Sequence, residues 1–186
     1  MPATVCEKLN GIDTDALKGA MAAVSQDASK GICKFQVATH WRGGTKTETR
    51  VDKWAMGGEE KPREFAIRTD EPPELLGEGV DANPQEVLFA GLNACMTVGY
   101  STCCAMHGIK LESLSIETEG ELDLRGFLGL DPNVKPGYEE VHYTVRIKGN
   151  GTPKQFEEVH RTVMATSPNF FNISRPIRMV PRLVVE

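Results

Sequence analysis

The longest uncharged stretch of the chain runs from Val87 to Met106, and apolar side chains fall on every side of a 3.6-residue spiral drawn through it. Its flanks read as helix ends. Asn83 can cap, Pro84 suits the first helical position, Glu86 stands where a capping-box carboxylate belongs, and Gly108 can stop the helix after His107. The pattern predicts a helix over 83–107, roughly 37 Å long. Being apolar all round it must be covered on every side, and in a chain of 186 residues the cover is expected to include a second subunit. Ala90, Gly91, Ala94, Gly99, Ser101 and Ala105 would let another backbone come close. About 20 apolar residues would also cross a bilayer. Asn93, Thr97, Ser101 and Thr102 interrupt the run and an acidic flank precedes it, so a buried helix is expected and no membrane span.

The other segments have shorter periods. Ala16, Leu17, Ala20, Met21 and Val24 repeat helically behind a possible cap, Asp13, which predicts a helix over 14–26. "KFQVATHW", "TKTETRVD" and "REFAIRT" alternate or are rich in β-formers, and "RGG" and "GGEEKP" separate them, as in a meander of three strands. "LESLSIETEGELDL" and "YEEVHYTVRIKG" predict two longer strands joined by the extended connection "RGFLGLDPNVKPG". "TPKQFEEVHRTVMAT" predicts a helix with a capping box at Thr152 and Gln155, stopped by Pro168. "PIRMVPRLVVE" predicts an edge strand. The fold class expected is α+β, with an N-terminal helical extension over 1–30 and one domain over 31–186.

Composition narrows the function. Hydrophobic residues are 40% and charged residues 25%, as in an ordinary globular protein. With 21 basic and 26 acidic residues the net charge is −5, and the one modest basic cluster, Arg175, Arg178 and Arg182, is no track for phosphates, so no nucleic-acid partner is expected. The opening "MPATVCEKLN" lacks a secretory pattern, which leads to an expectation of cytoplasmic residence. Five cysteines (Cys6, Cys33, Cys95, Cys103 and Cys104) then read as thiols, not as a disulfide framework. "GLNACM" and "GNGTPK" lack the lysine and hydroxyl of a phosphate loop, and no cofactor is expected.

A thiol reacts with peroxides or electrophiles as thiolate, and burial among apolar groups opposes that form. Cys95 lies about 17 Å along the predicted helix from its start, beyond the reach of the helix dipole. A cation must therefore come from another element, and arginine, charged even in a dry pocket, is the suitable type. Spacing alone assigns no arginine, and any one of the five cysteines could simply pack as a small hydrophobe.

"NPQEVLFAGLNACM", with "VATHWRGG", "FAIRTDEPPELLG", "RGFLGLDPNVKPG" and "ATSPN" in the same order, resembles the OsmC/Ohr family of thiol peroxidases over most of residues 33–185. The resemblance implies an intertwined homodimer, its long central helices wrapped by antiparallel-rich sheets from both chains. It also implies reduction of organic hydroperoxides by a peroxidatic cysteine, which falls on Cys95. The activating arginine falls on Arg68 or Arg42. The family glutamate falls on Gln85, with Glu86 one residue later. The resolving cysteine falls on Ser167, and a hydroxyl cannot close the disulfide that follows sulfenic acid formation. Cys103, eight residues along the same helix, would be roughly 12 Å from Cys95 against a disulfide limit of about 7 Å between Cα atoms. Cys6 or a thiol of a second subunit stays open as a substitute.

Two readings remain at this level. One is a one-cysteine peroxidase that uses an external thiol as reductant. The other is a non-catalytic protein that binds an apolar ligand or senses oxidation at the dimer-interface pocket. Cys103, Cys104 and His107 at the helix end could offer soft metal ligands, but no second ligand pair accompanies them and no metal is expected.

Overall fold

The computed structural model describes residues 8–186. The chain groups into two compact units, one ending at Ala90 and the other spanning Gly91–Glu186.

In the first unit, helix α1 (Thr14–Gln26) starts on the expected cap, the Asp13 carboxylate accepting from the Ala16 amide at 2.9 Å. A four-stranded antiparallel sheet follows, built on β3 (Thr47–Met56). β1 (Cys33–Phe35) and β2 (Ala38–Trp41) both pair with one edge of β3, and β4 (Glu59–Thr69) pairs with the other. "KFQVATHW" was expected as one strand but is divided in two. The division faces Val51–Lys53 of β3, where the register with β4 also shifts, so the break lies where the central strand is irregular. Only Gly57 and Gly58 of "GGEEKP" are turn. Their φ values of 58° and 83° suit a two-residue hairpin, and Glu59 already pairs with Met56. Pro62 lies beside the register shift, where a missing amide does not break the ladder.

The loop after β4 is organised by Asp70, which is 1% exposed. Its carboxylate accepts from the Thr45 hydroxyl at 2.6 Å and from the amides of Glu71 at 2.9 Å, Glu78 at 3.0 Å and Val80 at 3.4 Å. The Thr45 hydroxyl and these amides hold its pKa below the usual carboxylate range. Asn83 donates through its side chain to Glu71, tying the loop to the start of helix α2 (Pro84–Met106).

Helix α2 matches the expected helix within one residue at each end. Among the described residues it is the helix long and apolar enough to cross a membrane, a test that core helices of water-soluble proteins also pass. Its capping is reciprocal: Asn83 Oδ1 accepts from the Gln85 amide at 2.7 Å, and Glu86 Oε2 accepts from the Asn83 amide at 2.8 Å. Within the second unit Leu92, Met96, Tyr100 and Cys104, four residues apart, form its buried stripe. Off that stripe, Val98 of the same helix is 65% exposed among the described residues.

The stripe packs with Val159 and Val163 of α4 (Pro153–Thr166) against a two-stranded sheet of β5 (Leu111–Glu119) and β6 (His142–Gly149). Gly99 permits the helix contact, since a Cβ there would come within 3.2 Å of Val163 Cγ1. The buried Tyr100 hydroxyl is satisfied by His160 Nδ1. Asn93 anchors α2 to β5, donating to the Ile116 carbonyl at 3.2 Å and accepting from the Thr118 hydroxyl at 2.6 Å.

Three expectations need correction in this unit. β5 stops at Glu119, where the chain turns toward the short helix α3 (Leu124–Phe127), capped by Asp123. Pro168 does not simply end a helix; it opens another, α5 (Pro168–Ser174). Residues 176–186, expected as an edge strand, form no regular structure. A strand exists through a ladder partner, and Pro176 and Pro181 each remove a donor.

Candidate active site

Cys95 lies midway along α2, partly exposed, with its Sγ 3.4 Å from the hydroxyl oxygen of Ser167. Ser167 is 5% exposed at the junction of two helices, as C-cap of α4 and N-cap of α5. Its amide donates to the Val163 carbonyl at 2.8 Å, and its hydroxyl oxygen accepts from the Phe170 amide at 3.4 Å. Two residues on, Asn169 Nδ2 donates to the Gly91 carbonyl at 2.8 Å, one helical turn before Cys95. The segment "SPN" therefore grips α2 twice, at the sulfur and at the backbone of the preceding turn. The serine and cysteine that the resemblance aligned with the resolving and peroxidatic positions are neighbours in space.

The other thiols are differently placed. Cys104 is fully buried in the core, and burial pushes its pKa up to about 11. Burial also raises the pKa of Cys103. The Cys103 Sγ is 3.7 Å from His107 Nδ1, which lies 2.8 Å from the Cys103 carbonyl oxygen. Cys33 is exposed on β1. Cys6 lies outside the described residues. Among the described residues no group of three or more His, Cys, Asp or Glu could hold a metal ion.

The two candidate arginines belong to the first unit and converge on one carboxylate that sequence reasoning missed. Glu48 of β3 stands opposite His40 of β2 and Arg68 of β4. Its Oε1 takes Arg42 at 2.9 Å and Arg50 at 3.2 Å, and its Oε2 has Arg68 Nε at 3.7 Å. The Glu48 side chain is 15% exposed, and bonds from Arg42 and then Arg50 hold its carboxyl below the usual range. Three guanidiniums around one carboxylate leave that cluster with two net positive charges. The alternation of "TETR" places Glu48 and Arg50 on one face, but nothing in it shows which strands lie beside them.

Gln85 and Glu86 are exposed in the first turn of α2, and the bonds they make are those of the helix cap. Gln85 precedes Cys95 by ten residues, about 15 Å along a helix.

The sequence profile of the family described as OsmC-like protein matches residues 77–180, more than half of the chain. Solved structures share the fold at low identity. An OsmC-like protein of Mycoplasma pneumoniae has a TM-score of 0.61 at 15% identity, covering 76% of this chain and 87% of that one. A Psychrobacter arcticus protein has a TM-score of 0.53 at 19% identity, covering 72% and 84%. An OsmC-like protein of Vibrio cholerae has a TM-score of 0.50 at 16% identity, covering 74% and 91%. No curated protein sequence matches this chain.

Proposed function

We propose, from the premise that this chain belongs to the OsmC-like protein family and has its α+β fold, that it is a thiol-dependent peroxidase of the one-cysteine type acting on organic hydroperoxides. The observation that carries this reading is the partly exposed Cys95 sulfur on the long helix, with the Ser167 hydroxyl against it at 3.4 Å and, among the described residues, no second thiol bonded to it.

The Cys95 thiolate attacks the distal oxygen of the hydroperoxide; an S–O bond forms, the O–O bond breaks, and the alkoxide leaves with a proton as alcohol. Sulfur has given two electrons and is a sulfenic acid. Ser167 cannot condense with it, so an external thiol does, releasing water and forming a mixed disulfide. A second external thiol displaces Cys95 and leaves as the oxidised disulfide.

Of the two arginines, Arg68 is the better activator on local grounds. Arg42 and Arg50 already share one oxygen of Glu48, whereas Arg68 is 66% exposed and 3.7 Å from the other, so it gives up least on turning to a second anion. Arg68→Met is expected to lower the second-order rate constant for cumene hydroperoxide at pH 7 by about 10- to 100-fold, the loss of thiolate that follows when a neighbouring cation is removed. Arg42→Met should stay within about threefold of wild type. Equal losses in the two would refute the distinction.

The working form proposed is a homodimer in a reducing cytoplasm. Apolar groups that one chain leaves open support it, among them Leu88 and Val98 of α2 and Trp41, Phe65 and Ile67 of the four-stranded sheet.

The deciding experiment mixes reduced protein with one equivalent of cumene hydroperoxide in the presence of dimedone and locates the adduct by fragment mass spectrometry. A near-stoichiometric adduct on Cys95 within a single turnover is expected. Slow oxidation spread over Cys33, Cys95 and Cys103 would overturn the peroxidase and leave the reading of an apolar-ligand binder or oxidation sensor.

A further inference from the structure

A cysteine replaced by serine beside the reactive sulfur looks like a simple loss, but the bonds around Ser167 say more. Its hydroxyl oxygen accepts from the Phe170 amide at 3.4 Å, and its one hydrogen is left for Cys95 Sγ, also at 3.4 Å. An amide that donates to a hydroxyl oxygen polarises the O–H and makes it a better donor. A thiolate has no hydrogen, so in the anionic form the direction of the Ser167–Cys95 bond is fixed: oxygen donates and sulfur accepts. Ser167 is 5% exposed, so water does not compete freely for that hydrogen, and Asn169 holds the junction to the Gly91 carbonyl of the turn before the sulfur.

We propose that Ser167 is a catalytic residue whose hydroxyl donates to the Cys95 sulfur and stabilises its anion, so that the serine replaces disulfide resolution with activation of the attacking thiol. The inference deepens the peroxidase reading and rests on it for its purpose, though the hydrogen bond can be tested without any peroxide.

On α4, which packs on α2 through Val159 and Val163 and ends at Ser167, the charged or titratable side chains nearest in sequence are His160 and Arg161, about two turns before the serine. The α2 run Val87–Met106 brings no charged side chain, and neither does the turn 166–170 that carries Ser167. On β5, which meets Asn93 through Ile116 and Thr118, the intervening Glu117 pairs with Arg146 at 3.3 Å. The one cation invoked is the proposed Arg68, which stays charged over the whole range tested.

The test is the pH dependence of Cys95 alkylation by iodoacetamide, read site by site by mass spectrometry in wild type, Ser167→Ala and Ser167→Thr. For Ser167→Ala the midpoint should rise by about one pH unit, with the rate at pH 7 falling about tenfold, the size expected when a hydrogen bond to a charged group is lost. Its high-pH plateau should equal or exceed that of wild type, because a less stabilised thiolate is more nucleophilic. Ser167→Thr, which keeps the hydroxyl, should stay within about threefold of wild type. Two results would overturn the proposal: a midpoint unchanged in Ser167→Ala, or Ser167→Thr shifted as far as Ser167→Ala, which would assign the effect to the α5 cap. Alkylation needs no peroxidase activity, so a failed sulfenic acid assay and a failed Ser167 assay remain separate outcomes.

Discussion

Cys95→Ser should lose hydroperoxide consumption altogether, with a residual rate at least about a thousandfold below wild type under dithiothreitol, while Cys103→Ser stays within about threefold. The asymmetry follows from where the thiols sit. Peroxide attack needs a sulfur that is both reachable and able to ionise. Cys104 fails on both counts, since it is fully buried and its pKa is raised to about 11. Cys103 is partly buried and its pKa is raised, chiefly by that burial, so the thiolate present at neutral pH is less than a free cysteine would supply. Cys33 is reachable on β1, away from the long helix that carries Cys95. Cys95 is partly exposed and has the buried Ser167 hydroxyl positioned to hydrogen-bond its anion, whereas at Cys103 the Thr162 hydroxyl is outweighed by burial. Serine at 95 retains shape and bonding but is a far weaker nucleophile at neutral pH. A Cys95→Ser protein that kept a tenth of the wild-type rate would move the chemistry to another sulfur.

How much of this could be read from the sequence depended on the range of the interaction that fixed each feature. The starts of α1, α2 and α4 were legible because caps are made by side chains two or three residues from the amides they serve, as in Thr152 with Gln155 and Asn83 with Glu86, and the end of α2 because Gly108 takes the positive φ of 70° that stops a helix. The same logic could have found α5, since Ser167 followed by Pro168 is a cap and first-position pair, but the proline was read only as a stop. Strand pairing is non-local, and there the sequence reading weakened. Residues 176–186 were expected as an edge strand, yet among the described residues nothing pairs with them. Glu48 was missed for the same reason: its importance comes from Arg42 and Arg68 on the neighbouring segments, brought together by register. The Cys95–Ser167 contact spans 72 residues, and only the family resemblance pointed to both positions.

Ser167→Cys should turn a one-cysteine site into a two-cysteine site. The two side-chain termini are 3.4 Å apart, and a disulfide needs about 2.05 Å between sulfurs, a closure of about 1.3 Å that side-chain torsions can supply without moving either helix far. After one equivalent of hydroperoxide the Cys95 sulfenic acid should be captured by the introduced thiol with loss of water, so two thiols disappear per peroxide and the dimedone adduct falls to about a tenth or less of wild type. Turnover should then depend on a reductant able to open a protein disulfide, and dithiols should outperform monothiols. The oxidised variant has a second signature. Its bridge would close a loop of 72 residues, which in the chain-entropy account restricts the unfolded state enough to add up to about 4 kcal/mol of stability, less any strain and the lost cap on α5. Thermal unfolding of the oxidised and dithiothreitol-treated forms reads this directly, as a higher midpoint that vanishes on reduction. An undiminished dimedone adduct, with no stability difference between the two forms, would mean that position 167 is not where an oxidised Cys95 can be met, and would remove the serine from both the resolving position and the activating one.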